Sequence, residues 1–163
     1  NNTIMNIFAS NDPFISGSAG GGGGAGAYGV LINIGARTGS GETLSPSIAE
    51  NTIETLDGLW SHAIGLEGPT PNASVVQNEV ADLEEDKGGT DAWAVFIEDN
   101  TGVGTLAINF NNFASSMVGG VANVFDTTTV DAENNWWGDT DPSDDIGGTI
   151  DFTPYQTTPL PSN

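Results

Sequence analysis

The sequence contains no cysteine. Disulfides, thiolate metal sites and cysteine nucleophiles are all removed by that one absence, and stability is left to core packing. Basic residues are almost missing too: Arg37 and Lys87 are the only two, and His62 is the single histidine. Phosphate contacts need Lys or Arg, so no nucleic-acid or anionic-membrane partner is expected. No stretch approaches the roughly 18 apolar residues of a membrane helix. Nor is there a sustained helical stripe, and with 23 glycines long helices are not expected. The chain opens at Asn1 without an initiator methionine and without a basic segment backed by an apolar one. The expectation is a mature product or a piece of something longer.

Acid is what the sequence has in excess. Twenty-two Asp and Glu against two basic residues give a formal charge of -20. Such a surface repels itself in dilute buffer. At about 1 M salt the Debye length shrinks to roughly 3 Å and the repulsion is screened, so a very salty, halophilic setting suits this composition. Divalent cations bridging carboxylates would act similarly on a local scale. A disordered acidic tail does not fit, because 37% of the residues are apolar, with four Trp and seven Phe among them. At 163 residues, one domain with a sizeable core is expected.

The apolar residues fall in short groups divided by Gly, Asn, Asp and Pro, as in Val30–Ile34, Ala63–Leu66, Ala94–Ile97 and Leu106–Phe110. Their length and β-branched content read as strands. Asn-centred segments recur around Asn51, Asn78, Asn112 and Asn135, spaced 27, 34 and 23 residues apart. Between them lies a second strand type at Tyr28–Ile32, His62–Leu66, Trp93–Ile97 and Gly119–Val124. Two alternating strand types with periods in the twenties and thirties describe a repeat that buries its apolar face only by stacking on its neighbours. Asn tolerates left-handed backbone and bonds to nearby backbone groups, so Asn51, Asn78, Asn112 and Asn135 are expected as corners whose amides bond from coil to coil. Loop insertions are expected on the wall, the largest being the Gly-rich run at 9–27, with others at 35–47, 68–72 and 84–91. The Gly-rich run lacks the lysine followed by a hydroxyl residue that a phosphate-binding loop requires.

One block is more specific. Asn134-Asn135-Trp136-Trp137-Gly138, an acidic loop over Asp139–Asp145, and then Ile150-Asp151-Phe152-Thr153-Pro154 resemble the closing segment of right-handed parallel β-helix proteins, the pectate-lyase-like superfamily and its short-repeat relatives. The resemblance implies an all-β, single-stranded, right-handed solenoid of about five coils, with 134–163 as closing coil and tail. A solenoid end exposes apolar interior and strand edges, so Trp136 and Trp137 are expected as structural cap residues, with at least one of them buried. Asn1 to Ile4 begins inside a repeat without a cap. That suggests the C-terminal part of a longer solenoid, or an end that docks on another molecule.

Superfamily members that cut acidic polysaccharides use clustered Asp, calcium and a basic residue. Here the basic residues are far apart in sequence, and no catalytic residue is assigned. Asp139, Asp141, Asp144 and Asp145 offer four hard oxygen ligands within one short loop, so Ca2+ is the expected cofactor, and a solvated acidic turn is the alternative. Asn72 and Asn1 match the glycosylation pattern. The resulting reading is a structural or adhesive module, secreted or on a cell surface. Its partners would be protein neighbours of the same assembly or a surface glycan, and the open N-terminal end would permit a homo-oligomer or head-to-tail polymer. The alternative is a fragment of a polysaccharide-processing β-helix enzyme or a viral fibre.

Overall fold

A computed structural model describes residues 2–8, 26–33, 46–58, 60–67, 73–85, 92–98, 106–114, 119–124 and 129–161. Asn1, Asn72, Arg37, Lys87 and most of the expected insertions lie outside the described residues. Strand β2 begins at Gly26, two residues inside the run expected as the Gly-rich insertion.

The chain visits three sheets in strict rotation. The first coil contributes β1 (Asn2–Phe8), β2 (Gly26–Asn33) and β3 (Ser47–Ala49). The second adds β4 (Asn51–Gly58), β5 (Trp60–Glu67) and β6 (Ser74–Val76), and the third β7 (Glu79–Glu85), β8 (Ala92–Ile97) and β9 (Ala107–Asn109). The fourth coil has β10 (Asn112–Phe113), β11 (Gly119–Asn123) and β12 (Val130–Asp131). The closing coil has β13 (Ile146–Gly147) and β14 (Ile150–Asp151). The first sheet runs β1-β4-β7-β10, the second β2-β5-β8-β11-β13 and the third β3-β6-β9-β12-β14. Every pairing is parallel. The all-β parallel solenoid expected from the sequence is therefore the fold.

Each of the first four coils has three strands rather than two alternating types. The third sheet hides in the sequence because its strands are two or three residues long, too short for alternation to register. Register explains the recurring apolar groups. Ile53 lies beside Val80 and Val80 beside Phe113 in the first sheet. Ile64, Val95, Val121 and Ile146 form a row in the second, and Ile48, Val75 and Ile108 a row in the third. All but the half-buried Ile146 are sealed from solvent. A repeat with only a few apolar residues per coil facing inward has no core alone, and stacked in register it has a continuous one. Full burial of a residue such as Phe113 is worth about 1.5–3 kcal/mol.

The second sheet departs from simple alternation. In β8, Ala94 and Val95 are both buried, flanked by the half-buried Trp93 and Phe96. The neighbouring strand explains the double inward step. A Cβ on Gly120 would lie 2.5 Å from the Trp137 ring in the interior, while a Cβ on Gly119 would lie 2.1 Å from the Trp93 ring outside it. Glycine is needed at both places because a ring occupies the side-chain volume. On the outer face His62 is buried, its ring stacked on Phe96 at 3.9 Å and 11°, with Trp60 at 5.0 Å.

Candidate functional site

Four dipeptides build one corner of the solenoid, between the third sheet and the first. Glu50, Gln77, Phe110 and Asn134 have φ of 56°, 56°, 59° and 61°, and each is followed by a buried Asn: Asn51, Asn78, Asn111 and Asn135. The left-handed residue turns the chain, and the next side chain points down the axis. Asn78 Oδ1 accepts from the backbone N–H of Asn51 (3.1 Å) and its Nδ2 (2.9 Å). Asn111 Oδ1 accepts the same pair from Asn78 (2.9 and 3.0 Å), and Asn135 Oδ1 the same pair from Asn111 (2.8 and 2.9 Å). Each amide also donates to backbone carbonyls: Asn78 to Ile48 and Val76, Asn111 to Val75 and Asn109, Asn135 to Ile108 and Ala132. The ladder satisfies corner groups that would otherwise be buried without partners.

Two expectations are corrected here. The ladder member is Asn111, not Asn112, and the spacings are 27, 33 and 24. The left-handed residue is the one before each ladder Asn. Asn112 stands one step into the first sheet, opposite Glu79, and its amide turns outward to the tail. It donates to Leu160 O (3.0 Å) and accepts from Leu160 N–H (2.8 Å).

The closing segment continues the stack. Trp136 forms isolated parallel bridges to Asn112 and to Gln156, which extend the first sheet by two levels. Trp137 is buried and Trp136 half-buried. The Trp137 ring meets Phe113 edge-on at 5.4 Å and Phe152 at 6.4 Å, and Phe152 meets Tyr155 at 6.3 Å. This aromatic staircase covers the end of the core. The buried Trp137 Nε1 has no hydrogen-bond partner.

The acidic loop splits the four candidate cation ligands. Asp139, Asp144 and Asp145 each bring a carboxylate oxygen within 4.8 Å of the others. Asp141 is not in that group. It caps the 3-10 turn Pro142–Asp144, and its Oδ1 accepts from Ser143 Oγ (2.6 Å) and N–H (3.3 Å). Those bonds favour the ionised form and lower its pKa. Asp145 behaves oppositely: partial burial, then the charges of Asp144, Asp139 and Asp141, push its pKa up to about 6. Two oxygens on opposite sides of a calcium ion lie about 4.8 Å apart, so three hard carboxylates at this spacing could coordinate a cation, with part of the usual six to eight ligands left to other oxygens.

A groove of about 550 Å3 runs along the corner outside the ladder. It is lined by Glu50, Gln77 and Phe110 of the corner, by Glu79 and Asn112 of the first sheet, and by Leu160 and Pro161 of the tail. Phe110 is 47% exposed there, a large apolar side chain left in the open. Sequence reasoning placed the corner asparagines but missed this groove, because nothing in the string shows that the tail returns to Asn112.

Neither protein-family models, nor curated proteins, nor solved structures give a match to this chain. The likeness to parallel β-helices therefore stands at the level of architecture.

Proposed function

We propose that this chain is a structural or adhesive module of an extracellular surface, a stiff solenoid that works by presenting its walls and loops to neighbours. The observation that carries the reading is the in-register Asn ladder over a continuous core, which fixes the coil axis while leaving the outer wall to carry acid. A charge of -20 keeps such a rod hydrated and suits it to high salt, where screening removes the self-repulsion. The right-handed sense belongs to this reading through the general preference of parallel crossovers. A protein partner would be a like module of the same assembly, in a homo-oligomer or head-to-tail polymer. A surface glycan is the alternative contact.

Calcium fits the same reading. A cation at Asp139, Asp144 and Asp145 would offset the partial burial and the repulsion that raise Asp145 and would pin the closing coil. Sedimentation and electron microscopy in about 1 M salt, with and without calcium, test the module: concentration-dependent association into rods is expected, and a monomer under every condition counts against assembly.

A second reading, a polysaccharide-processing enzyme, is favoured by one observation. Partial burial and the charges of Asp144, Asp139 and Asp141 push the pKa of Asp145 up to about 6, the direction a glycosidase's acid needs, and carboxylate oxygens of Asp139 and Asp144 lie within 4.8 Å of its own. Release of reducing ends from a polysaccharide panel, abolished by Asp145→Asn, would replace the structural reading.

A further inference from the structure

The chain's own tail shows what the corner groove accepts. From Gln156 beside Trp136 to Leu160 beside Asn112, the tail runs down the outside of the solenoid, across the strands and toward the earlier coils. Asn112 is two strand levels from Gln156, a descent of about 9.6 Å at the usual strand spacing. At its end the Asn112 amide takes both the C=O and the N–H of Leu160, as an adjacent strand would. Pro159 and Pro161 flank that residue, lack N–H groups and hold φ near that of polyproline II, so Leu160 alone in Pro159-Leu160-Pro161 can give this double contact. Beyond Pro161 the groove continues past Glu79 and Gln77 to Glu50, with the exposed Phe110 ring on its wall.

We infer that this groove is a docking track for an extended, proline-containing peptide of a partner protein, clamped through Asn112 and carrying a basic side chain toward Glu79 and Glu50. The chemistry follows from three features. The Asn112 amide recognises backbone and is indifferent to side chain, which suits a Pro-x-Pro segment presented in extended form. The Phe110 ring offers an apolar surface of the kind that proline rings pack on. Glu79 and Glu50 lie one and two strand levels beyond Asn112, so a Lys or Arg about three residues after the second proline reaches them, at about 3.1 Å per residue. The described tail, Gln156 to Pro161, makes the clamp contact and holds no basic residue, and a basic partner segment that adds the ionic contact competes with it. The assignment is independent of the surface-module reading, because it rests on the docked tail and the groove.

The test is fluorescence anisotropy on the full chain with the labelled peptide Thr-Pro-Leu-Pro-Ala-Ala-Lys-Lys and the matching peptide ending in Glu-Glu. The Lys peptide is expected to bind saturably and about tenfold or more tighter than the Glu peptide in low salt, with the difference shrinking as salt rises. Glu50→Gln with Glu79→Gln, a surface change expected to leave melting unmoved, should weaken the Lys peptide about fivefold and leave the Glu peptide no weaker. Asn112→Ala should weaken the Lys peptide further. Equal affinity for the two peptides, no saturation up to about 1 mM, or a Lys-peptide affinity untouched by the Glu pair variant would overturn the inference. So would a neutral oligosaccharide that binds at these residues when the peptide does not.

Discussion

Asn111→Ala and Asn112→Ala differ by one residue in sequence and should differ sharply in cost. Asn111 is sealed from solvent, and its side chain takes part in five hydrogen bonds: two accepted from Asn78, three donated to Val75, Asn109 and Asn135. Truncation deprives the buried N–H of Asn78 of the one side-chain oxygen facing it and leaves Asn135 with the backbone N–H of Asn111 alone. A buried group without its partner costs about 1–3 kcal/mol, and with the lost amide packing the total comes to about 2–4 kcal/mol. Asn112 makes its two bonds to the tail, at a part-buried site where water can replace them. Its truncation should cost about 1 kcal/mol or less. Urea unfolding of the two variants in about 1 M salt, where surface repulsion is screened, measures both costs. Amide exchange at Asn78 should accelerate in Asn111→Ala and not in Asn112→Ala. If Asn112→Ala proves as destabilising as Asn111→Ala, the ladder has been drawn through the wrong residue.

Further outcomes follow from the same structure. Gly120→Ala places a methyl against the Trp137 and Phe113 rings and should cost about 1–3 kcal/mol by overpacking, seen as a lowered melting temperature with loss of near-ultraviolet tryptophan dichroism. Asp145 has its folded pKa raised to about 6 from 3.8, so the folded state holds the extra proton and stability falls as pH rises from about 4 to about 6. Because the group is only half-buried, the loss should be of the order of 1 kcal/mol. Asp145→Asn should flatten that slope, and calcium at pH 7 should stabilise the natural chain but not the variant. Raising NaCl from about 0.1 M to about 1 M should lift the melting temperature by about 5 °C or more, since screening acts on a charge of -20; no change would mean that the surface acid is neutralised in some other way.

Much of the fold was legible because stacking writes itself into the sequence. The segments beginning at Asn51 and Tyr28, and those around His62 and Trp93, became strands of the first and second sheets, since an apolar residue at a fixed place in each coil is what a shared interior demands. The third sheet was not legible as a class of its own. Strands such as Ser74–Val76 expose too few side chains to show a period. The ladder was legible except at Asn111 and Asn112, where two neighbouring asparagines fit the pattern equally and only the preceding left-handed Phe110 decides. A bulky aromatic is the last residue that turn chemistry would place there. The acidic loop was visible as composition, but the division of Asp141 from Asp139, Asp144 and Asp145 depends on the turn at Pro142, which spacing does not reveal.

The central claim is that successive coils lie directly on one another, and cross-linking reads it without ambiguity because the chain has no cysteine of its own. Thr52 and Glu79 are register partners, as are Glu54 and Ala81, while Thr52 and Asn112 stand two levels apart, at about 9.6 Å. Disulfides need Cα atoms within about 7 Å. Double cysteine variants at the first two pairs should oxidise readily within the monomer, and the Thr52 and Asn112 pair should not. Rapid closure of that third pair, or failure of both neighbouring pairs, would contradict the stacked solenoid.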